Sequence, residues 1–282
     1  TTILFYAIIC TKCDFQNKDP VNNRPIIGIL THELSYKYPL DLSNPMEKKY
    51  NGNHRSYIAA SYVKFVEAAG ARVIPIWINR SESYYKKIMS SINGVLWPGG
   101  AAEFDFPDGY AAAGCKIYKI ALEFNKKGDY FPIWGTCLGL ELLTYVAADQ
   151  REHRADCYSY NDALPLDFTP DFHKSKLFGK APATVLNILS TRKVTVNFHQ
   201  YCVTEKNMSQ LNLLKEWHIL SNNVDKDGLE FVSTIEHRLY PFYGVIFHPE
   251  KNAFEWKRSK NHPHFSEAIV ASQFFGEFFV DE

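Results

Sequence analysis

The chain is 282 residues long, 46 % hydrophobic and 15 % aromatic, with 31 basic and 31 acidic side chains and a formal net charge of zero. A chain of this length buries about 70–75 % of its unfolded surface, as one large domain or two small ones. No basic stripe points to nucleic acid, and no apolar run approaches the ~20 residues that span a bilayer.

Residues 3–10, ILFYAIIC, form a short apolar run followed by polar, proline-containing sequence to Arg24. The run reads as the tail of a signal-peptide apolar region, or else as an N-terminal strand. The expected organisation is a leader-like or disordered segment over 1–23 and a single domain over 24–282. Two glycosylation sequons, Asn79-Arg80-Ser81 and Asn207-Met208-Ser209, add to a secretory reading. Six cysteines, at 10, 13, 115, 137, 157 and 202, are not a dense disulfide framework, and their pairing stays open. Cys10 and Cys13 have C-x-x-C spacing but no second pair, so no metal site is expected.

Residues 24–30 read as a first buried strand ending at Thr31, and 32–54 as a polar loop. Ile58, Tyr62, Phe65, Val66 and Ala69 recur at helical spacing, which predicts a helix over 56–69 stopped by Gly70. A second strand is expected over 72–78, then a helix capped by Ser81 over 82–91. A third strand over 94–97 runs into Pro98-Gly99-Gly100. Residues 101–114 read as a loop, 116–127 as a helix and 131–134 as a fourth strand. Strands alternating with helices at this spacing predict an α/β fold, a three-layer sandwich with a mostly parallel central sheet. Sites in such sheets lie beyond the C-terminal strand ends, so Thr31, residues 98–100 and Cys137 are expected around one crevice. Over 151–190 the pattern blurs, and Pro165, Pro170 and Pro182 argue for loops and short pieces. A strand over 194–198 ends in His199-Gln200-Tyr201. Strands over 216–220, 229–236 and 243–247 finish the sheet with antiparallel pairs, and 265–280 is a closing helix.

Residues 130–148 carry the chemistry. A short apolar run leads into Gly135-Thr136-Cys137-Leu138-Gly139, after which Leu138, Leu142, Tyr145 and Val146 mark one helix face. A cysteine at the apex of a sharp strand-to-helix turn is the thiol counterpart of the G-x-S-x-G nucleophile elbow. Small residues flank it because strand and helix approach closely. The helix N-terminus is expected to favour thiolate over thiol, and the Leu138 N–H is placed to face a developing oxyanion. The alternative is a buried structural cysteine. A second strand delivers His248, a base and later an acid suited to neutral pH. Glu250, two residues on along an extended backbone, is placed to orient the other ring nitrogen.

Gly135-Thr136-Cys137-Leu138-Gly139, the Pro-Gly-Gly turn at 98–100 and His248-Pro249-Glu250 together resemble class I glutamine amidotransferase-like hydrolases, which implies a flavodoxin-like sheet. More narrowly, residues 25–30, 57–64, 91–94, 129–139, Asn197-Phe198-His199 and 248–251 with Glu255-Trp256 resemble the γ-glutamyl hydrolase family. The resemblance covers nearly the whole chain from Pro25 to Val280. It implies a cofactor-free omega peptidase that cleaves γ-glutamyl amide bonds of folylpoly-γ-glutamates and antifolate polyglutamates through a γ-glutamyl thioester. By that resemblance Cys137 is the nucleophile, His248 the general base and acid, and Glu250 its orienting carboxylate. His199, Glu141 and Tyr62 take supporting places, and the N–H groups of Gly100 and Leu138 form the oxyanion hole.

From the residues alone, His199 has a structural alternative, Glu141 that of a solvated first-turn glutamate, and Tyr62 that of core packing. The resemblance further implies a small-molecule substrate, a homodimer, no nucleic-acid or membrane partner, and a lysosomal or secreted location. A polyanionic substrate tail calls for nearby cations, with Arg55 and Lys251 as candidates. The rival reading is a glutaminase-type amidotransferase subunit, which shares the triad but needs a synthase. The other is a non-enzymatic binding protein, against which the intact Cys-His-Glu set argues.

Overall fold

In chain order the strands are β1 (Ile26–Leu30), β2 (His32–Glu33), β3 (Ser56–Tyr57), β4 (Arg72–Ile76), β5 (Gly94–Trp97), β6 (Ile133–Thr136), β7 (Ala155–Leu164), β8 (Asp167–Phe168), β9 (Thr195–Cys202), β10 (Trp217–Val224), β11 (Glu230–His237) and β12 (Phe242–Val245). The helices are α1 (Ala60–Ala68), α2 (Glu82–Met89), α3 (Tyr110–Lys126), α4 (Leu138–Ala147), α5 (Lys176–Gly179), α6 (Ala183–Thr191), α7 (Glu205–Gln210), α8 (Lys251–Phe254) and α9 (Ser266–Asp281). The computed structural model describes residues 23–33 and 56–282; the apolar run at 3–10, Cys10, Cys13 and Arg55 lie outside them.

Eight strands form the central sheet in the order β4-β1-β5-β6-β12-β11-β10-β8. The first five run parallel, and β11, β10 and β8 complete the sheet by antiparallel pairing. Alternation along the strands sends successive side chains to opposite faces. Val95, Trp97 and Ile133 pack with Tyr85 and Met89 of α2, Ile117 and Ala121 of α3 and Leu142 of α4. Leu96 and Trp134 point the other way, against Phe65 of α1, Leu189 of α6 and Phe275 of α9. The result is the three-layer α/β sandwich expected from the sequence. Trp97 and Trp134 are fully buried, one on each face, and each such aromatic contributes on the order of 2–3 kcal/mol.

Several boundaries differ from the sequence reading, each for a physical reason. Helix α1 starts at Ala60 rather than 56, because Ser56 and Tyr57 pair with Glu33 and His32. Helix α3 starts at Tyr110, inside the expected loop, where Glu33 Oε2 accepts from the Tyr110 N–H at 3.0 Å. Strand β6 runs two residues further than expected and carries Gly135 and Thr136 into the elbow, paired with Gly244 and Val245. The stretch 151–190 holds a ten-residue strand, β7, which the prolines obscured. It pairs antiparallel with β9, and the Cys157–Cys202 disulfide links the two strands. Strand β9 also continues through His199 to Cys202 instead of ending before it.

Candidate active site

Cys137 stands between β6 and α4 with φ 52° and ψ −110°, a positive φ that a non-glycine residue adopts only under constraint. Two anchors hold it there. Its N–H donates to the Val245 carbonyl of β12 at 2.7 Å, and its carbonyl accepts from the Leu140 and Glu141 N–H groups. The flanking glycines answer to close approach. A Cβ on Gly135 would lie 2.5 Å from the Gly139 carbonyl oxygen, and one on Gly139 would run into the Trp97 carbonyl oxygen of β5.

The sulfur is buried, and that reverses one expectation. Burial pushes the thiol pKa up, and the Glu141 and Glu250 carboxylates add to the rise. The Leu138 N–H at the start of α4 and the Lys251 ammonium pull the other way but do not overcome it. The helix N-terminus therefore does not by itself make a thiolate; a base must accept the proton.

That base is close. A Cβ placed on Gly99 would lie 2.9 Å from Cys137 Cβ, 2.8 Å from His248 Cε1 and 2.8 Å from the Tyr62 hydroxyl, so all three groups surround one point. His248 is positioned by its backbone N–H, which donates to Val196 of β9 at 2.8 Å. Its Nδ1 lies 2.7 Å from Glu250 Oε1 and 3.3 Å from the Tyr62 hydroxyl. A carboxylate only accepts, so the proton sits on Nδ1 and Nε2 is left for the sulfur side. Residues 248–250 form a turn, closed by the Lys251 N–H on the His248 carbonyl, rather than an extended segment. The turn makes the same contact that the extended reading required. Burial works to raise the Glu250 pKa, but the His248 ring and the Lys251 ammonium outweigh it and hold the carboxyl below its usual range.

A cavity of about 140 Å³ opens on the sulfur, lined among others by Gly100, Cys137, Leu138, Glu141, Arg154, Phe198 and His199. Gly100 and Leu138 are thus placed together beside Cys137. Glu141 is buried rather than solvated, and its Oε2 accepts from Arg154 Nη1 at 3.2 Å. Burial raises its pKa to about 7 despite the Arg154 guanidinium. His199 Nε2 lies 3.2 Å from Asn197 Oδ1, and burial, with the charge of His248, lowers its pKa to about 3. His199 therefore faces the cavity as a neutral ring. Tyr62 is buried against Phe65 and Val66 and at the same time places its hydroxyl beside His248.

The structure does not bring every expected residue to the cavity. Thr31 is buried, but its hydroxyl accepts from the Ile78 N–H. Lys251 is held by Glu255 at 2.8 Å and Glu250 at 3.7 Å. Asn79 is exposed on a turn, whereas Asn207 is half-buried and its Oδ1 serves the capping box of α7. Arg154 just before β7, Tyr160 of β7 and Phe198 and Tyr201 of β9 also line the cavity and were not among the expected site residues. The signal was the alternation Cys157, Tyr158, Ser159, Tyr160, buried and exposed in turn, hidden because tyrosine counts as apolar. Among the described residues, no group of three or more His, Cys, Asp and Glu side chains could hold a metal ion. No described helix is long and apolar enough to cross a membrane.

Residues 25–250 match the family description Peptidase C26. The chain is 40 % identical to a γ-glutamyl hydrolase of Rattus norvegicus, over 93 % of this chain and 78 % of that one. It is 38 % identical to one from Homo sapiens, over 92 % and 77 %. A γ-glutamyl hydrolase B of Dictyostelium discoideum is 37 % identical over 93 % and 73 %. Among solved structures, PurLQS from Thermotoga maritima superposes with a TM-score of 0.53 at 12 % identity, over 90 % of this chain and 97 % of that one. A Thermoplasma acidophilum protein described as a GMP synthase component gives 0.51 at 11 %, over 89 % and 93 %. At those identities the structural likeness concerns the fold alone. The family match spans both the cysteine elbow and the His-Pro-Glu turn, and the chain belongs to the peptidase C26 family.

Proposed function

We propose that the chain is a cysteine-dependent hydrolase of γ-glutamyl amide bonds, with folylpoly-γ-glutamates as its substrates. Relatives named γ-glutamyl hydrolase, similar over most of their length, support the reaction class. The observation that carries the mechanism is the convergence of Cys137, His248 and Tyr62 on one point, with Glu250 against the far side of the imidazole.

The steps follow from that geometry. The Cys137 thiol passes its proton to His248 Nε2 as the sulfur attacks the γ-carbonyl carbon, and the Leu138 and Gly100 N–H groups receive the oxyanion. His248 returns the proton to the departing amine as the C–N bond breaks, leaving a γ-glutamyl thioester on Cys137. Water, deprotonated by His248, then attacks the thioester; the C–S bond breaks and the thiol recovers a proton. Glu250 stabilises the imidazolium at each stage and fixes its tautomer. Glu141, His199 and Tyr62 support the site from around the sulfur and the imidazole.

A secretory or lysosomal setting belongs to the same proposal. The Cys157–Cys202 disulfide suits an oxidising compartment, and the exposed Asn79 sequon suits glycosylation. A homodimer and a single domain beginning near residue 24 complete it. Product release from a pteroyl poly-γ-glutamate, compared with ammonia release from free glutamine, tests the substrate class. Cleavage of the γ-linked chain is expected; glutamine turnover alone would assign the site to an amidotransferase.

A further inference from the structure

The loop after β5 brings two glycines to the sulfur, and the peptide joining Pro98 to Gly99 is gripped at both ends. Its carbonyl oxygen accepts from the Tyr110 hydroxyl at 2.8 Å and lies 3.2 Å from His32 Nε2. Its N–H donates to the Tyr62 hydroxyl at 2.8 Å. The three partners come from separate elements: His32 from β2, Tyr62 from α1 and Tyr110 from the start of α3. A carbonyl oxygen only accepts, so His32 carries its proton on Nε2. Among the described residues its Nδ1 is buried without a partner, and burial lowers its pKa to about 4. The imidazole stacks on the Tyr110 ring with centroids 4.1 Å apart. It also covers Gly100, where a Cβ would lie 2.8 Å from His32 Cε1.

Packing alone does not call for this arrangement. Tyr110 is fully buried, and a phenylalanine would fill the same space. A hydroxyl and an imidazole taken out of water are costly unless they are bonded, and both are aimed at one carbonyl. A peptide is planar, so fixing its C=O and N–H fixes the whole unit. The residues that follow are Gly99 and Gly100, the most permissive backbone available. Without the grip, the direction of the Gly100 N–H would be free to rotate away from the cavity it shares with Cys137 and Leu138.

We propose that His32 and Tyr110 are positioning residues for the hydrolytic reaction, holding the Pro98 carbonyl so that the Gly100 N–H is aimed at the oxyanion. The proposal rests on Cys137 being the nucleophile. Tyr62 ties this loop to the base as well, since the hydroxyl that receives the Gly99 N–H lies beside His248 Nδ1.

The test compares Tyr110→Phe, His32→Leu and His32→Gln with the native chain on a γ-glutamyl amide. Inhibition by a γ-glutamyl aldehyde, whose thiohemiacetal carries the oxyanion, and alkylation of Cys137 by iodoacetamide are measured alongside. Tyr110→Phe keeps the ring and its stack; His32→Gln keeps a side-chain N–H donor. Losing an oxyanion donor outright costs about 10²–10³-fold, and losing only its orientation should cost less. Tyr110→Phe and His32→Leu are each expected to lower kcat about tenfold and weaken the aldehyde by about the same factor, with KM and alkylation changed less than about twofold. His32→Gln is expected to stay near the native rate.

An unchanged kcat in Tyr110→Phe would overturn the proposal. So would an impairment of His32→Gln equal to that of His32→Leu, or a lower kcat with undiminished aldehyde affinity. If His32→Leu does not fold, Tyr110→Phe decides alone. Turnover by Cys137→Ala would instead remove the nucleophile reading, and it is seen before any variant of the loop is made.

Discussion

Around Cys137, burial and two carboxylates oppose the thiolate, so the proposed mechanism has proton transfer to His248 accompany attack. Glu141 makes this pH-dependent. Its pKa is raised to about 7, so it is neutral below that pH and anionic above it. The anion faces the sulfur and disfavours thiolate. The kcat/KM of Glu141→Gln, divided by the native value at each pH, should therefore rise as pH increases through about 7. A ratio flat across that window would remove Glu141 from the electrostatics of the sulfur. Glu250→Gln leaves an amide oxygen for His248 Nδ1 but loses the charge that stabilises imidazolium. With the Tyr62 hydroxyl still 3.3 Å away, a fall in kcat of roughly 10–100-fold at near-constant KM is expected, short of the full general-base contribution. At this scale the sequence was most legible where chemistry imposes residue order. Cys137, His248 and Glu250 sit in local motifs. Arg154 and His32 do not, because only the folded chain brings them to Glu141 and to the Pro98 carbonyl.

The elbow is the element on which the site depends. A methyl group at Gly139 would drive into the Trp97 carbonyl, and backbone atoms cannot rotate away. Gly139→Ala should cost about 3 kcal/mol, the upper part of the overpacking range, read as a lowered denaturation midpoint at constant m-value. The arm formed by β7 and β9 is held by a disulfide spanning 45 residues. Chain-entropy reasoning gives about 4 kcal/mol for a loop of that length. A Cys157→Ser, Cys202→Ser double variant should lose a comparable stability, and calorimetry measures it. An unchanged transition would mean that the arm is held by its strand pairing alone. Helices α1 to α4 and α9 and the parallel strands were legible from their apolar patterns; α5, α7 and α8, of four to six residues, were not, because so few turns carry no clear period, and α6 lies in the stretch that the prolines blurred. The arm was not, because Pro165 and Pro182 flank or interrupt its surroundings and three exposed tyrosines, 158, 160 and 201, blur its alternation. The later start of α1 has a tertiary cause that periodicity does not carry: pairing of Ser56 and Tyr57 with β2.

Over the whole molecule, one sheet places Cys137 after β6, His248 after β12 and the Gly99-Gly100 loop after β5. These three strands are neighbours, so their C-terminal ends meet at one edge of the sandwich. The alternation of strand and helix made this architecture readable, and the antiparallel pairing of β10 and β11 followed from the polar turns around them, whereas the two-residue β8 was not read. Both helical layers pack on the same strands, which favours one cooperative unit. In the proposed mechanism a γ-glutamyl thioester forms on Cys137. Mass spectrometry of the native chain and Cys137→Ala, quenched in acid during turnover of a pteroyl poly-γ-glutamate, tests it most directly. A γ-glutamyl acyl adduct is expected on the peptide containing Cys137, with neither adduct nor product from the alanine variant. Product from a folded Cys137→Ala chain would contradict it.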